Sequence, residues 1–229
     1  MLRMARVLKL LYAAHNSYAS VAAELTYEYH PKVLQAILES WLRQQSVDYS
    51  SIVSRQEDWH QVARETWKVW HQPPYSWRKD VTVQSGDTIT FIATESCTYL
   101  RGGRYVNVNP PKHTSSWWAE DEIFLDPSLL LAIHEIHVGE TDTYLNRQVI
   151  RVRSTPRRTR WKLSGVYDIA WLMSGEEYEL LIDMEYGVLL RYSARAKGQI
   201  YAIVEVKRVE FDVPINSDIF FVPMDGGIG

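Results

Sequence analysis

The sequence predicts an α+β fold built on a strongly curved antiparallel sheet of about ten strands, an incomplete β-barrel with helices covering its mouth. Two observations carry that expectation. From Tyr178 to Pro223, three apolar-alternating runs (178–183, 188–193 and 199–211) are separated by glycine-containing turns at 184–187 and 196–198. Runs of this kind, rich in β-branched and aromatic side chains and bounded by glycine, read as a β-meander. Upstream, further alternating runs follow one another around Gln72-Pro73-Pro74-Tyr75, Gly86-Asp87 and Gly102-Gly103, the order of an antiparallel succession.

In chain order, residues 2–16 carry Met4, Val7, Leu8, Leu11 and Tyr12 at helical spacing with Arg3, Arg6 and Lys9 opposite, which predicts an amphipathic helix lying across the sheet. Residues 21–30 alternate as a half-buried strand does, Val21, Ala23, Leu25, Tyr27 and Tyr29 against Glu24, Thr26, Glu28 and His30. Residues 33–43 fit both helical and strand spacing, and their Ala, Leu, Gln and Glu content tips the choice to a helix. Residues 46–61 have no clear period and are expected as a loop or loose helix. Strands are expected at 65–71, 76–83, 88–94, 97–100 and 105–108. A Pro-, Ser- and Trp-rich connection at 109–122 leads to a helix capped by Asp126, with Pro127 at its first position. Strands at 147–153, 160–163 and 167–172 then precede the meander.

At 229 residues the chain can bury a substantial core and nothing in it requires two domains, so residues 1–229 are expected as a single domain. A formal net charge of -3 lacks the long-range positive field of nucleic-acid binders, so no nucleic-acid partner is expected. Cys97 is the single cysteine, which excludes an internal disulfide and a cysteine-rich metal site. No window approaches the roughly 18–20 consecutive apolar residues of a membrane span. The first twelve residues lack the apolar core and small-residue cleavage site of a secretion signal. The protein as encoded is therefore expected in the cytoplasm, or outside it if the chain is a processed product.

Nine tryptophans and fourteen tyrosines place large flat apolar surfaces somewhere in this fold. Tyr27 and Tyr29 share one strand face, Trp67 and Val69 another, and Trp77 and Phe91 fall on alternating positions of adjacent runs. On an open sheet these residues line an apolar pocket for a hydrophobic or amphiphilic small molecule, and on a closed one they fill a core. Trp117-Trp118 in the long connection either folds back as a lid or meets a protein partner. Arg78, Arg151 and Arg153 are candidate anion-binding residues, because guanidinium forks match carboxylate and phosphate oxygens, although a solvated strand face explains the same run. His134-Glu135-Ile136-His137 has the right residue types for zinc. Its i, i+3 spacing fails the i, i+4 requirement on a helix and sends the two rings to opposite faces of a strand, so it reads as a polar helix end or connection. Neither a metal nor a cofactor is expected, and no nucleophile elbow or phosphate loop is present.

Several segments resemble one family. Asp183-x-x-x-Gly187 leading to Leu190-Arg191, the opening helix running into the strand after Ser20-Val21, and Trp67 to Arg78 with its prolines are similar to segments of the LolA/LolB/RseB-like superfamily of bacterial lipoprotein carriers and lipid sensors. So are Leu125-Asp126-Pro127 with Leu129-Leu130, and Phe211-Asp212-Val213-Pro214-Ile215 with Phe220. The resemblance implies a half-barrel whose hollow holds acyl chains, hence a binding protein for a lipid or similar ligand. The rival expectation is a cytosolic enzyme of small-molecule biosynthesis using His71, Arg78, Asp80 or Arg151 in the same cavity on an anionic substrate. A third is a scaffold subunit of a hetero-oligomer.

Overall fold

Alternating apolar side chains give strands and glycines give the turns between them, and the computed structural model assembles eleven such strands into one sheet, in the order β6-β5-β4-β3-β2-β1-β11-β10-β9-β8-β7. The structure describes residues 2–44, 62–74, 76–102, 105–109, 124–125, 127–157 and 170–222. The strands are β1 (Val21–Tyr29), β2 (Ala63–Gln72), β3 (Ser76–Thr82), β4 (Thr88–Ala93), β5 (Thr98–Gly102) and β6 (Tyr105–Asn109), then β7 (His134–Tyr144), β8 (Arg147–Pro156), β9 (Glu177–Asp183), β10 (Leu189–Ala196) and β11 (Gln199–Phe211). Helices are α1 (Leu2–Ala13), α2 (Pro31–Gln44), α3 (Ser128–Ile133) and α4 (Ala170–Met173), and 3-10 turns follow α1 and lie at Ser217–Phe220. The fold is α+β and its antiparallel sheet is not closed into a barrel, since β6 and β7 are its two edges.

Four expectations change. The segment expected as a strand at 167–172 contains the short helix α4 in its described part. Residues 134–137, expected as a polar helix end or connection, open the edge strand β7. Pro127 precedes α3 instead of opening it, with no side-chain cap at that end. In α1 the covered residues are Val7 and Leu11, continued by Ala14 of the following 3-10 turn, whereas Leu8 and Tyr12 are 39% and 70% exposed. The apolar residues of α1 span more of the helix than its packing partners cover. The expected cap Asp126, the strand at 160–163, the segment 46–61, and Trp117 and Trp118 lie outside the described residues.

The chain forms two compact units interleaved in sequence: unit 1 takes Met1–Ser17, Glu28–Ala63 and Ser115–Glu205, and unit 2 takes Tyr18–Tyr27, Arg64–Thr114 and Val206–Gly229. In unit 1, strand register places Ile150, Val152 and Ser154 of β8 opposite Ile182, Leu180 and Tyr178 of β9, and this face is fully buried. Tyr192 and Ala194 of β10 extend it. The β9–β10 turn closes around Asp183, which is 0% exposed. Its carboxylate accepts from the backbone N–H groups of Glu185 and Tyr186 at 2.9 and 2.8 Å and pairs with the Arg147 guanidinium. Gly187 completes the turn at φ +76°, and a side chain there would run into the Leu10 carbonyl of α1. Ser17 Oγ reaches both Ala14 O and Tyr186 O at 2.6 Å, tying the end of the first helical segment to the same turn.

In unit 2 the strands β2–β5 have two unlike faces. One carries Trp70, Arg78, Asp80, Ile92 and Tyr99, and the C-terminal residues Ile215, Ile219, Phe220 and Val222 pack on it. Arg78 fastens that cover: Nε and Nη2 donate to Asp80 at 2.9–3.2 Å, Nη1 donates to Ile219 O at 3.0 Å, and the guanidinium lies 5.7 Å from the Trp70 ring centre. Arg78→Met is expected to cost about 1.5–3 kcal/mol, the range for charged hydrogen bonds. Amide exchange at Ile219–Phe221 should accelerate together with a lower denaturation midpoint. Unchanged exchange there would mean that the C-terminal segment is held by its apolar contacts alone.

Candidate functional site

The second face of β2–β5 follows directly from register. Trp67, Val69 and His71 of β2 stand opposite Val81, Lys79 and Trp77 of β3, and those stand opposite Ile89, Phe91 and Ala93 of β4. Leu100 and Thr98 of β5 continue the rows from Phe91 and Ala93. Side chains on alternate residues of paired strands share a face, so the nine on β2–β4 make a three-by-three array that Leu100 and Thr98 extend onto β5. Burial is graded across it. Trp67, Val69, Trp77, Lys79 and Val81 are buried, while Ile89, Phe91, Ala93, Leu100 and Thr98 are half-buried.

Lys79 occupies the centre of the array. It is only 6% exposed, with Nζ 3.6 Å from the Trp67 ring centre and 5.7 Å from that of Phe91. Ring faces attract ammonium, by about 2 kcal/mol when the pair is desolvated. Tyr27 tilts against Trp67 with centroids 5.3 Å apart. At one corner the Tyr18 hydroxyl and His71 Nδ1 are 2.9 Å apart, and the Tyr18 ring also meets Phe211.

The structure therefore brings Tyr27, Trp67, Val69, Trp77 and Phe91 together on one face of unit 2, whereas Tyr29 falls in unit 1. Sequence reasoning missed Lys79, although the alternation Trp77, Lys79, Val81 marks it as a charge on an apolar face. Arg78 and Asp80 are on the opposite face and bonded to each other. Near the β2–β3 and β4–β5 turns lies a polar surface hollow of about 540 Å³ lined by Gln72, Pro73, Pro74, Ser76 and residues 94–96. Its lining differs in chemistry from the array.

Arg151 and Arg153 lie in unit 1, on the β8 face that also carries Arg147 and Val149. The Arg151 guanidinium bridges Asp142 at 3.0 Å and Glu179 at 2.8 Å. Arg191 approaches Glu179 at 3.8 Å and stands opposite Glu205, which accepts from the Tyr144 hydroxyl at 3.0 Å. This alternation of charge crosses five strands. The Thr143 backbone N–H first and then Arg151 hold the Asp142 carboxyl below its usual range, while burial, reinforced by Glu205, raises the Tyr144 hydroxyl. Arg153 is exposed on the same face.

His134 and His137 lie three apart on β7, so their rings leave opposite faces, and His134 is fully buried. His134 Nε2 lies 2.9 Å from Leu172 O, a carbonyl that can only accept, so this nitrogen carries the proton and Nδ1 accepts from Ser154 Oγ at 2.9 Å. The pair is sealed from solvent, with neither partner exposed. Among the described residues no three His, Cys, Asp or Glu side chains are placed to hold a metal ion, and no helix is long and apolar enough to cross a membrane.

No protein-family profile matches the sequence, and comparison with curated proteins gives no match. Solved structures do match in fold. MucB superposes with a TM-score of 0.57 at 13% identity over 98% of this chain, and the chain spans only 64% of MucB's own length. The Pseudomonas aeruginosa MucA/MucB complex gives 0.53 at 14% identity over 95% of this chain and 60% of the matched one. The Mycobacterium tuberculosis lipoprotein LppX gives 0.51 at 10% identity, covering 93% of this chain and 98% of LppX. At such identities the likeness identifies the fold alone, and that fold is the LolA/LolB/RseB-like one.

Proposed function

We propose that the chain is a binding protein that shelters a hydrophobic or amphiphilic ligand, a lipid or acyl chain, against the array on β2–β5. The observation that carries this is the gradient of burial: an aromatic floor at Trp67 and Trp77 passes into apolar residues on β4 and β5 that solvent still reaches. The other face of the same strands is occupied by the chain's own C-terminal segment. Each methylene withdrawn from water contributes about 0.8 kcal/mol, so an acyl chain laid over Phe91 and Leu100 supplies the driving force, offset by its ordering. The fold shared with the lipoprotein LppX is in keeping with this reading. The MucA/MucB complex, in which a protein of this fold assembles with a second chain, adds a protein partner to it.

Titration with submicellar dodecanol, read by tryptophan emission, tests the proposal. Saturable change is expected, and Phe91→Asp, at a half-buried position, should weaken it by about tenfold, the equivalent of 1.4 kcal/mol. Emission that stays constant up to the solubility limit of the alcohol would end the proposal, as would a Phe91→Asp protein that binds equally well.

A further inference from the structure

We propose that the outer side of α1 docks on an anionic lipid surface: Leu8 and Tyr12 enter the interfacial layer, and Arg6 and Lys9 pair with the headgroups around them. This goes beyond the ligand-binding reading and does not depend on it.

The fold uses one side of α1. Val7 and Leu11 are buried, Ala14 continues their stripe, and the Leu10 carbonyl lies against Gly187 of the β9–β10 turn, so the rotation of the helix about its own axis is fixed. Ala5, Leu8, Lys9 and Tyr12, spaced i, i+3, i+4 and i+7, therefore form a second stripe, and all four are exposed, Tyr12 at 70%. Arg6 is exposed as well. Apolar side chains at this spacing ordinarily face a core, but here the core takes the other stripe. The helix packed against α1, α3, carries no charged residue and leaves Leu129 37% exposed.

Charge names the partner. Within its 12 residues α1 has Arg3, Arg6 and Lys9 and no acidic residue, in a chain whose formal net charge is -3. An apolar stripe flanked by positive charge alone suits the plane of an anionic bilayer. Apolar side chains reach the acyl boundary, tyrosine sits at headgroup level, and the stems of Arg and Lys turn their charges back toward the headgroups. A protein partner fits less well, because a stable protein interface takes about 20–30 residues a side. The apolar surface offered by α1 is Leu8 and Tyr12 with Ala5. On a bilayer the charges add to that small apolar contribution, by about fivefold for each basic residue near an anionic surface.

Co-flotation of the whole protein with vesicles tests the proposal, one set made of phosphatidylcholine alone and the other of an equal mixture of phosphatidylcholine and phosphatidylglycerol. The native protein is expected to bind the mixed vesicles about tenfold or more tighter than the neutral ones, with the difference shrinking as salt is raised. Arg6→Gln combined with Lys9→Gln should weaken binding to the mixed vesicles by about tenfold or more, the loss of two such charges. Leu8→Ser combined with Tyr12→Ser should weaken it comparably by withdrawing the apolar stripe. All four positions are exposed, and none belongs to the array on β2–β5, so both variants should fold and bind dodecanol as the native protein does. Equal binding to the two kinds of vesicle, no binding to either, or variants that bind like the native protein would overturn the proposal. So would a concentration-dependent dimer abolished by Leu8→Ser with Tyr12→Ser in protein that ignores vesicles, which would assign the face to a second copy of the chain. If the serine variant fails to fold, the glutamine variant decides.

Discussion

Asp183→Ala is expected to destabilise the protein by about 3–5 kcal/mol, the cost of removing one member of a buried ion pair. Three losses coincide at this residue. The Arg147 guanidinium, which also lies 5.1 Å from the Tyr186 ring centre, is left without its buried counter-charge. The N–H groups of Glu185 and Tyr186 lose the oxygen that satisfies them inside the turn. The turn itself then no longer presents Tyr186 O to Ser17, the bond that ties the first helical segment down. Asp183→Asn keeps an acceptor for the two N–H groups but loses the charge, so it should fall between native protein and alanine. Glu185, the second partner of Arg147, is 68% exposed, and Glu185→Gln should change stability by less than about 1 kcal/mol, as surface pairs do. Denaturant midpoints of the three variants check the ordering. An Asp183→Ala protein within 1 kcal/mol of native would show that the turn is held by Gly187 and the strand ladder without its carboxylate.

Much of the sheet is legible in the chain because alternation and turn chemistry are local properties. Residues 199–211 are the clearest case, a thirteen-residue strand recognised over its full length from pattern and a glycine turn. β7 was missed because its cues are weak. It is an edge strand with charged and hydroxyl residues over its second half, its register slips between Val138 and Thr141, and its turn is Leu145-Asn146 at φ 51° and 59°, with no glycine to mark it. The residues 170–172 failed differently. A short apolar run bounded by turn residues has no period long enough to separate a strand from a helical turn, and only packing against α2 decides it.

The candidate site was legible as a set of aromatics but not as a charge arrangement. Trp67, Trp77 and Phe91 share one face in the structure because each sits on its own strand at an even offset from its neighbours. The same counting puts Lys79 among them, yet a lysine in a run of charged residues, Arg78-Lys79-Asp80, reads as solvated until the strand's two faces are separated. Arg78 shows the converse. It and Asp80 are two residues apart, hence on one strand face, and that pairing removes Arg78 from the aromatic side.

Acidification should weaken the protein through His134, by about 3 kcal/mol between pH 7 and pH 4. Burial holds this imidazole at a pKa of about 4 against an ordinary value of 6.5, opposed only in part by its bond to Leu172 O. Because the unfolded chain takes up the proton first as pH falls, the contribution of His134 is full above pH 6.5, declines through the interval below, and is lost by about pH 4. The gap between the two values, at about 1.4 kcal/mol for each pH unit, sets the size of the effect. Carboxylates titrate over part of the same range, so the native curve alone does not isolate the histidine. His134→Gln does, since it keeps a donor and an acceptor for Leu172 O and Ser154 and has no proton to gain. The variant should be the less stable protein at pH 7, with the difference from native shrinking steadily toward pH 4 in urea titrations. Parallel curves across that range would mean that the His134 ring is charged in the folded state or solvated there, contrary to its complete burial between Ser154 and Leu172.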